Sequence, residues 1–315
     1  MPVYLKEADI VQLLDMPSAI DAVEDVMRQC AAGESENIPR KRARTSSGLF
    51  HLMGGASAAL GSHALKAYTS TGSGTRFIIL LFGSDGSLDA VLEADQLGRI
   101  RTGAASGLAT RLFAPQDAST MLLVGSGKQA RTQVQAVSCV RPVSTVLVWS
   151  PTPQHREAMA VDLRDSLGVT AKAVDDLPAA CASADIISTI TTAKSPVLDT
   201  AWLSGNTHIN ACGSNSVHRQ ELPGSLFTRA SLVVVDDLNQ ARTECGDLMK
   251  AVFEDYINWE DIYEMKEAFT TGMPERPDGI SIFESQGLGL WDLACARVVV
   301  SRARQAGVGV QLPID

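Results

Sequence analysis

Arginines stand at alternate positions in IPRKRART, as Arg40, Arg42 and Arg44. Side chains alternate along an extended chain, so these would share one face of a strand. A guanidinium fork suits a carboxylate, which it grips through two parallel hydrogen bonds. The plainer alternative for any one of them is a solvated basic strand edge that discourages edge-to-edge pairing. Lys66 follows in ALKAY, between Leu65 and Ala67. A strand lysine usually snorkels to water. Held among apolar neighbours instead, its ammonium loses solvation, and its pKa falls toward the range useful for proton donation. Arg101 and Thr102 begin a segment of small residues, RTGAASGLATRL, that reads as a helix. A surface helix-start role suits Arg99 or Arg111 better.

A second group of residues points to a phosphate. The apolar run Met121–Val124 feeds into Gly125, Ser126, Gly127, Lys128, Gln129 and Ala130, and a helix-compatible segment follows. Gly125 would permit a tight turn, and Gly127 would let the backbone approach a pyrophosphate. Ala130 is small enough for a helix to pack on the strand, whose free N–H groups and positive dipole end would face the phosphates. The next strand end, in TVLVWSPTPQHR, would meet the adenosine ribose. An acid there binds the 2′-hydroxyl and repels a 2′-phosphate. The position is Ser150, followed by Pro151 and Thr152, so no acid excludes NADP and no adjacent arginine clamps a phosphate; Arg156 lies a turn further on. NAD is the preferred expectation, with NADP as the alternative. Thr102, Ser150, Thr152 and Thr191 complete the expected cofactor contacts. Asn215, in the Gly213-Ser214-Asn215 turn after HINAC, is a site candidate because strand ends line the crevice of such sheets, although the same turn is common elsewhere. His208 reads as a satisfied core histidine, and no Cys or His spacing suggests a metal.

The elements that must position these residues fall into two groups. Residues 9–32 carry helical spacing broken near Pro17, followed by extended segments over 38–53 and 64–70 and a hairpin around Gly83-Ser84-Asp85-Gly86. That is an α+β pattern. From Ser119 strands and helices alternate, with near-continuous apolar strands, which predicts a doubly wound parallel sheet of Rossmann type. The final stretch reads as a long helix able to return to the first domain. The expected α/β organisation is therefore a substrate-binding and dimerisation domain of residues 1–116 with 288–315, and a dinucleotide-binding domain of residues 117–287. A net charge of −9 carries no nucleic-acid footprint. Six scattered cysteines read as reduced thiols of a cytoplasmic protein. Neither a signal peptide nor the run of about 18 apolar residues of a membrane span is apparent.

Taken together, PRKR, LFHLMGG, LKAYT, LGRIRTGAASGLATRLFAP, VGSGKQARTQ, HINACGSN, ECGDL and IFESQGLGLWDLACA resemble the ornithine cyclodeaminase/mu-crystallin family of NAD(P)-dependent enzymes over nearly the whole chain. The resemblance implies a Rossmann domain, a substrate domain of helices and antiparallel strands, and a homodimer formed through the substrate domains. It further implies that Arg40 grips the substrate carboxylate, with Arg42 as the alternative, that Lys66 and Arg101 also meet the substrate, and that Gly125, Gly127, Gln129 and Ala130 hold the cofactor. Where cyclodeaminases place an aspartate in a GGD turn, this chain has Asn215. An amide is neither a carboxylate base nor an ionic partner for an ammonium. The expectation therefore shifts to the imine-reductase and dehydrogenase branch: a 2-imino acid reduced to an L-amino acid, with Lys66 bonding the imine nitrogen and Asn215 orienting substrate or nicotinamide. The surplus arginines in PRKRAR, with His51 on the next strand, suggest a second acidic group, as in iminosuccinate. The alternatives are an amino-acid dehydrogenase of the alanine dehydrogenase type, a cyclodeaminase, and a non-enzymatic NAD(P)-binding protein.

Overall fold

The computed structural model describes residues 1–273 and 278–314. The chain divides into two compact units, one of Met1–Ala104 with Leu288–Asp315, the other of Ala105–Gly287.

The first unit opens with β1 (Val3–Leu5), α1 (Glu7–Leu13) and α2 (Met16–Ala31). Asp15 caps α2 by accepting from the Ser18 N–H, and Pro17 sits in its first turn, where the missing N–H costs nothing. An antiparallel meander follows, β2 (Ser35–Thr45), β3 (Gly48–Ser57), β4 (Ser62–Thr71), β5 (Gly74–Gly83) and β6 (Leu88–Glu93), with β1 parallel to β6. Its register places Met53, Lys66 and Ile79 side by side, and likewise His51, Tyr68 and Phe77. A register shift between Ile38 and Lys41 interrupts β2 beside Arg40. Helix α3 (Asp95–Phe113) comes next, and the division between the units falls within it, ahead of the Gln116/Asp117 boundary read from the sequence.

The second unit is a parallel sheet with helices between its strands: β7 (Thr120–Val124), α4 (Ala130–Val140), β8 (Thr145–Trp149), α5 (Pro153–Leu167), β9 (Thr170–Ala173), α6 (Leu177–Ser183), β10 (Ile186–Thr189), β11 (His208–Ala211), α7 (Gly224–Arg229), β12 (Ala230–Val235), α8 (Leu238–Glu244), α9 (Gly246–Phe253), β13 (Tyr263–Glu264) and β14 (Ile280–Glu284). The strand order among the described residues is β13-β12-β14-β11-β10-β7-β8-β9. Strand sides alternate between two buried clusters. Leu122, Val124, Ile187 and Ile209 enter one, and Met121, Leu123, Val146 and Val148 the other. This two-sided burial is why these strands read as unbroken apolar runs. Strand β14 was not among the strands read from the sequence, yet it lies between β11 and β12. Its five residues, ISIFE, are too few to distinguish a strand from the helix start that follows.

The chain then returns to the first unit as α10 (Gly289–Ala306) and β15 (Val310–Gln311), which pairs with β1. Helix α10 packs against α2, β3 and β4. Its start lies backbone to backbone on β3. A Cβ on Gly289 would stand 2.4 Å from the Gly54 amide nitrogen and carbonyl oxygen. Trp291, fully buried, anchors the same turn. Burial of a side chain of this class stabilises by roughly 1.5–3 kcal/mol. No helix of the described residues is long and apolar enough to cross a membrane.

Candidate functional site

In the first unit, Lys66 of β4, Arg101 of α3 and Asp292 of α10 converge. Lys66 Nζ donates to Asp292 Oδ1 at 2.7 Å, and Arg101 Nε donates to the same oxygen at 3.2 Å. Asp292 Oδ2 has no hydrogen-bond partner among the described residues. All three side chains are buried. Arg101 Nη1 also donates to Thr102 Oγ1 at 2.8 Å, and Thr102 donates to the Gly98 carbonyl at 2.7 Å. Thr102, read as a cofactor contact, is thus tied into this cluster. Arg40 is buried too, with Nη2 3.6 Å from Met53 Sδ, whereas Arg42 and Arg44 are exposed. Alternation made these arginines equivalent; burial separates them.

The electrostatics follow from this crowding. Burial pushes Lys66 down to about 8; Arg101 and Arg40 act in the same direction, while Asp292 opposes them. Burial by itself would raise Asp292, but Arg101 and Lys66 together hold it below the usual carboxylate range. Nearby, His51 stacks on Tyr68 with ring centroids 4.1 Å apart, and Phe77 lies beyond, 5.3 Å from Lys66 Nζ. Burial, then Arg42 and Arg40, push His51 down to about 4, which leaves the imidazole neutral at pH 7. Asp292 was absent from the sequence reading. The signal for it was a lone acid inside the apolar run LWDLACA, since a buried carboxylate requires a partner.

In the second unit the remaining candidates gather at the C-terminal ends of neighbouring strands β11, β10, β7 and β8. Gly125 has φ +117, and a Cβ there would lie 2.7 Å from the Ile190 carbonyl oxygen. A Cβ on Gly127 would meet nothing within 4 Å. Gln129 begins α4 without a side-chain cap, so the first N–H groups of the helix, beside Ala130, are not used by it. Ser126 is half-buried and Lys128 exposed. Open space over Gly127 and an uncapped helix start fit a pyrophosphate. Ser150 is buried and donates to the Thr152 carbonyl at 3.3 Å.

Glu221 braces this rim. Fully buried, it accepts from Thr189 Oγ1 at 2.9 Å, the Thr191 N–H at 2.6 Å and the Gly213 N–H at 2.7 Å. It thereby ties the ends of β10 and β11 together. Asn215 follows, its Oδ1 accepting from Arg219 Nη1 at 3.0 Å. Asp247 accepts from the Glu221 and Leu222 N–H groups, and Asp236 from those of Gln286 and Gly287. Burial raises Glu221 and lifts Asp236 and Asp247 to about 7. None of these acids was singled out from sequence. Cys245, Asp247 and Glu284 each present an atom within 4.8 Å of the others. Burial pushes the Cys245 thiol and the Glu284 carboxyl well up, so the group holds protons, in hydrogen bonds such as Cys245 Sγ to Glu284 Oε2 at 3.4 Å. His208 lies deep in β11, 2.9 Å from Ser281 Oγ and 3.3 Å from Asn210 Oδ1.

Comparison with known proteins finds a family and relatives for this chain. The profile of the ornithine cyclodeaminase/mu-crystallin family matches residues 2–307. Iminosuccinate reductase of Paracoccus denitrificans is 30% identical over 319 residues, covering 98% of both chains. Delta(1)-pyrroline-2-carboxylate reductase of Thermococcus litoralis, solved with NADH and L-proline, superposes with a TM-score of 0.94 at 28% identity, over 98% of this chain and all of that one. An archaeal alanine dehydrogenase dimer with bound NAD gives a TM-score of 0.93 at 27% identity, over 100% of this chain and 99% of that one.

Proposed function

The chain belongs to the ornithine cyclodeaminase/mu-crystallin family, and on that premise we propose that it is an NAD-dependent oxidoreductase that reduces a 2-imino acid to an L-amino acid. The observation that carries this reading is the buried Lys66–Asp292–Arg101 cluster, with Lys66 held at about 8. Arg40 and Arg101 bind the α-carboxylate through charge-assisted hydrogen bonds worth roughly 1.5–3 kcal/mol each. Lys66 protonates the imine nitrogen and so makes the adjacent carbon more electrophilic. Asp292 keeps the ammonium aimed, and its unpartnered Oδ2 is an acceptor for an N–H of the product amine. The Gly125–Ala130 loop, with Ser150, Thr152 and Thr191, would hold the nicotinamide cofactor, which would supply the hydride. Asn215 orients substrate or nicotinamide as a neutral hydrogen-bonding group.

Within this class, the substrate is a dicarboxylic imine such as iminosuccinate, giving aspartate. Arg42 pairs across the β2–β3 ladder with His51, which stacks on Tyr68 and is kept neutral by burial and by Arg42 and Arg40. A guanidinium such as that of Arg42 is the type of group that grips a second carboxylate. The full-length relative named iminosuccinate reductase supports the same choice. Substrate-dependent NADH oxidation against dicarboxylic, cyclic and small monocarboxylic imines, each with and without ammonia, tests it. Preference for pyrroline-2-carboxylate, or a rate dependent on ammonia and a 2-oxo acid, would replace this substrate by those of the two other relatives.

The active form is a homodimer. Phe50, Leu65 and Ile78 are exposed on one face of the antiparallel sheet, an apolar surface suited to a second copy. Light scattering with Ile78→Asp checks this.

A further inference from the structure

Coenzyme choice in a Rossmann sheet is usually made by an acid at the end of the strand after the glycine loop. That strand is β8, and it ends in Ser150-Pro151-Thr152 with no acid. A cation nevertheless stands there. Arg156, in the first turns of α5, reaches back so that Nη1 donates to the Ser150 carbonyl at 3.0 Å. Its Nη2 pairs with Asp175, which follows β9, the neighbour of β8 in the sheet. The Arg156 side chain is 11% exposed and that of Asp175 91%.

We propose that the Arg156–Asp175 pair sets the preference for NADH over NADPH, with Asp175 supplying from the β9 end the negative charge that β8 lacks. The inference rests on the dinucleotide reading of the Gly125–Ala130 loop. Arg156 is anchored at the ribose end of β8 by the Ser150 carbonyl and is neutralised by Asp175. A 2′-phosphate must displace Asp175 from the guanidinium and also tolerate a second negative charge beside it. A 2′-hydroxyl faces neither demand, and can donate to the exposed carboxylate. The same arginine without its acid becomes a phosphate clamp of the kind NADP-dependent enzymes use. Discrimination is thus repulsive, built from an element that excludes the wrong coenzyme.

The test is binding without substrate. Dissociation constants of the full chain for NADH, NADPH, 5′-ADP and 2′,5′-ADP are measured by calorimetry, for the parent, Asp175→Asn, Arg156→Gln and the double variant. Asp175→Asn is expected to tighten NADPH and 2′,5′-ADP by about tenfold, with NADH changed by less than about threefold, and the gain is expected to shrink with salt. The double variant is expected to lose the gain. An unchanged NADPH-to-NADH ratio in Asp175→Asn, or a gain that survives Arg156→Gln, overturns the proposal. Failure of the parent chain to bind either NADH or 5′-ADP overturns the dinucleotide reading and this proposal with it, and is recognised before any variant is made.

Discussion

Both units bury carboxylates, but they hold them in opposite ways. In the first, Asp292 lies between Lys66 and Arg101 and stays ionised, held below the usual range. In the second, Asp236 and Asp247 accept from neutral backbone N–H groups and rise to about 7. Burial disfavours charge in both; only an opposite charge at hydrogen-bond distance reverses the outcome. The first arrangement keeps a proton on a lysine poised to give it up. The second stores protons in the framework and braces the strand ends.

The sharpest way to break the contrast is to remove the proposed proton donor. Lys66→Met is expected to lower the rate of imine reduction by about 10²–10⁴-fold while leaving NADH affinity within about twofold. In the parent, the reductive rate should fall as pH rises through about 8, because only protonated Lys66 donates. A kinetic pH profile showing no such limb would remove Lys66 from the mechanism.

Next in size is Asp292→Asn, which leaves Lys66 and Arg101 buried without their anion. A loss of roughly 3–5 kcal/mol in denaturant-induced unfolding is expected, as for other broken buried pairs. The equivalent change in the second unit, Asp247→Asn, is expected to cost less than about 1.5 kcal/mol, since an amide oxygen can still accept from the Glu221 and Leu222 N–H groups. Comparable losses in the two variants would erase the distinction.

The pH dependence separates the units further. Burial lifts Asp236 and Asp247 to about 7, well above the ordinary carboxylate range. Their contribution to stability is complete below about pH 4 and is lost as pH rises through about 7. Asp292 is shifted the other way, so its contribution is present above the ordinary carboxylate pKa and lost on acidification. Urea unfolding between pH 5 and 8 should therefore show falling stability, with a shallower slope in Asp247→Asn. The smallest effect concerns Gly98, where a Cβ would stand 3.0 Å from Lys66 Nζ. Gly98→Ala should lower the reductive rate several-fold, because Lys66 Nζ must give way within its buried ion pair, seen as a reduced kcat with NADH affinity unchanged.

Much of this was legible in advance. Tight-turn chemistry and apolar runs identified the glycine loop and most strands of the parallel sheet, because those signals lie within a few residues of one another. Lys66 was legible as a lysine among apolar neighbours. Its partner was not, since Asp292 lies 226 residues away and nothing local marks that pairing. Strand β14 escaped because a five-residue run has no resolvable period.

Residue order alone was enough for the fold class and for proposing which types of group would meet a carboxylate and a pyrophosphate, since those depend on periodicity, turn geometry and functional-group chemistry. Folding in three dimensions chose among equivalents. It buried Arg40 and exposed Arg42, paired Lys66 with Asp292, and gave Asp236 and Asp247 backbone N–H partners. Burial and counter-charge are properties of a spatial neighbourhood, and they set both the protonation state and the reach of each side chain.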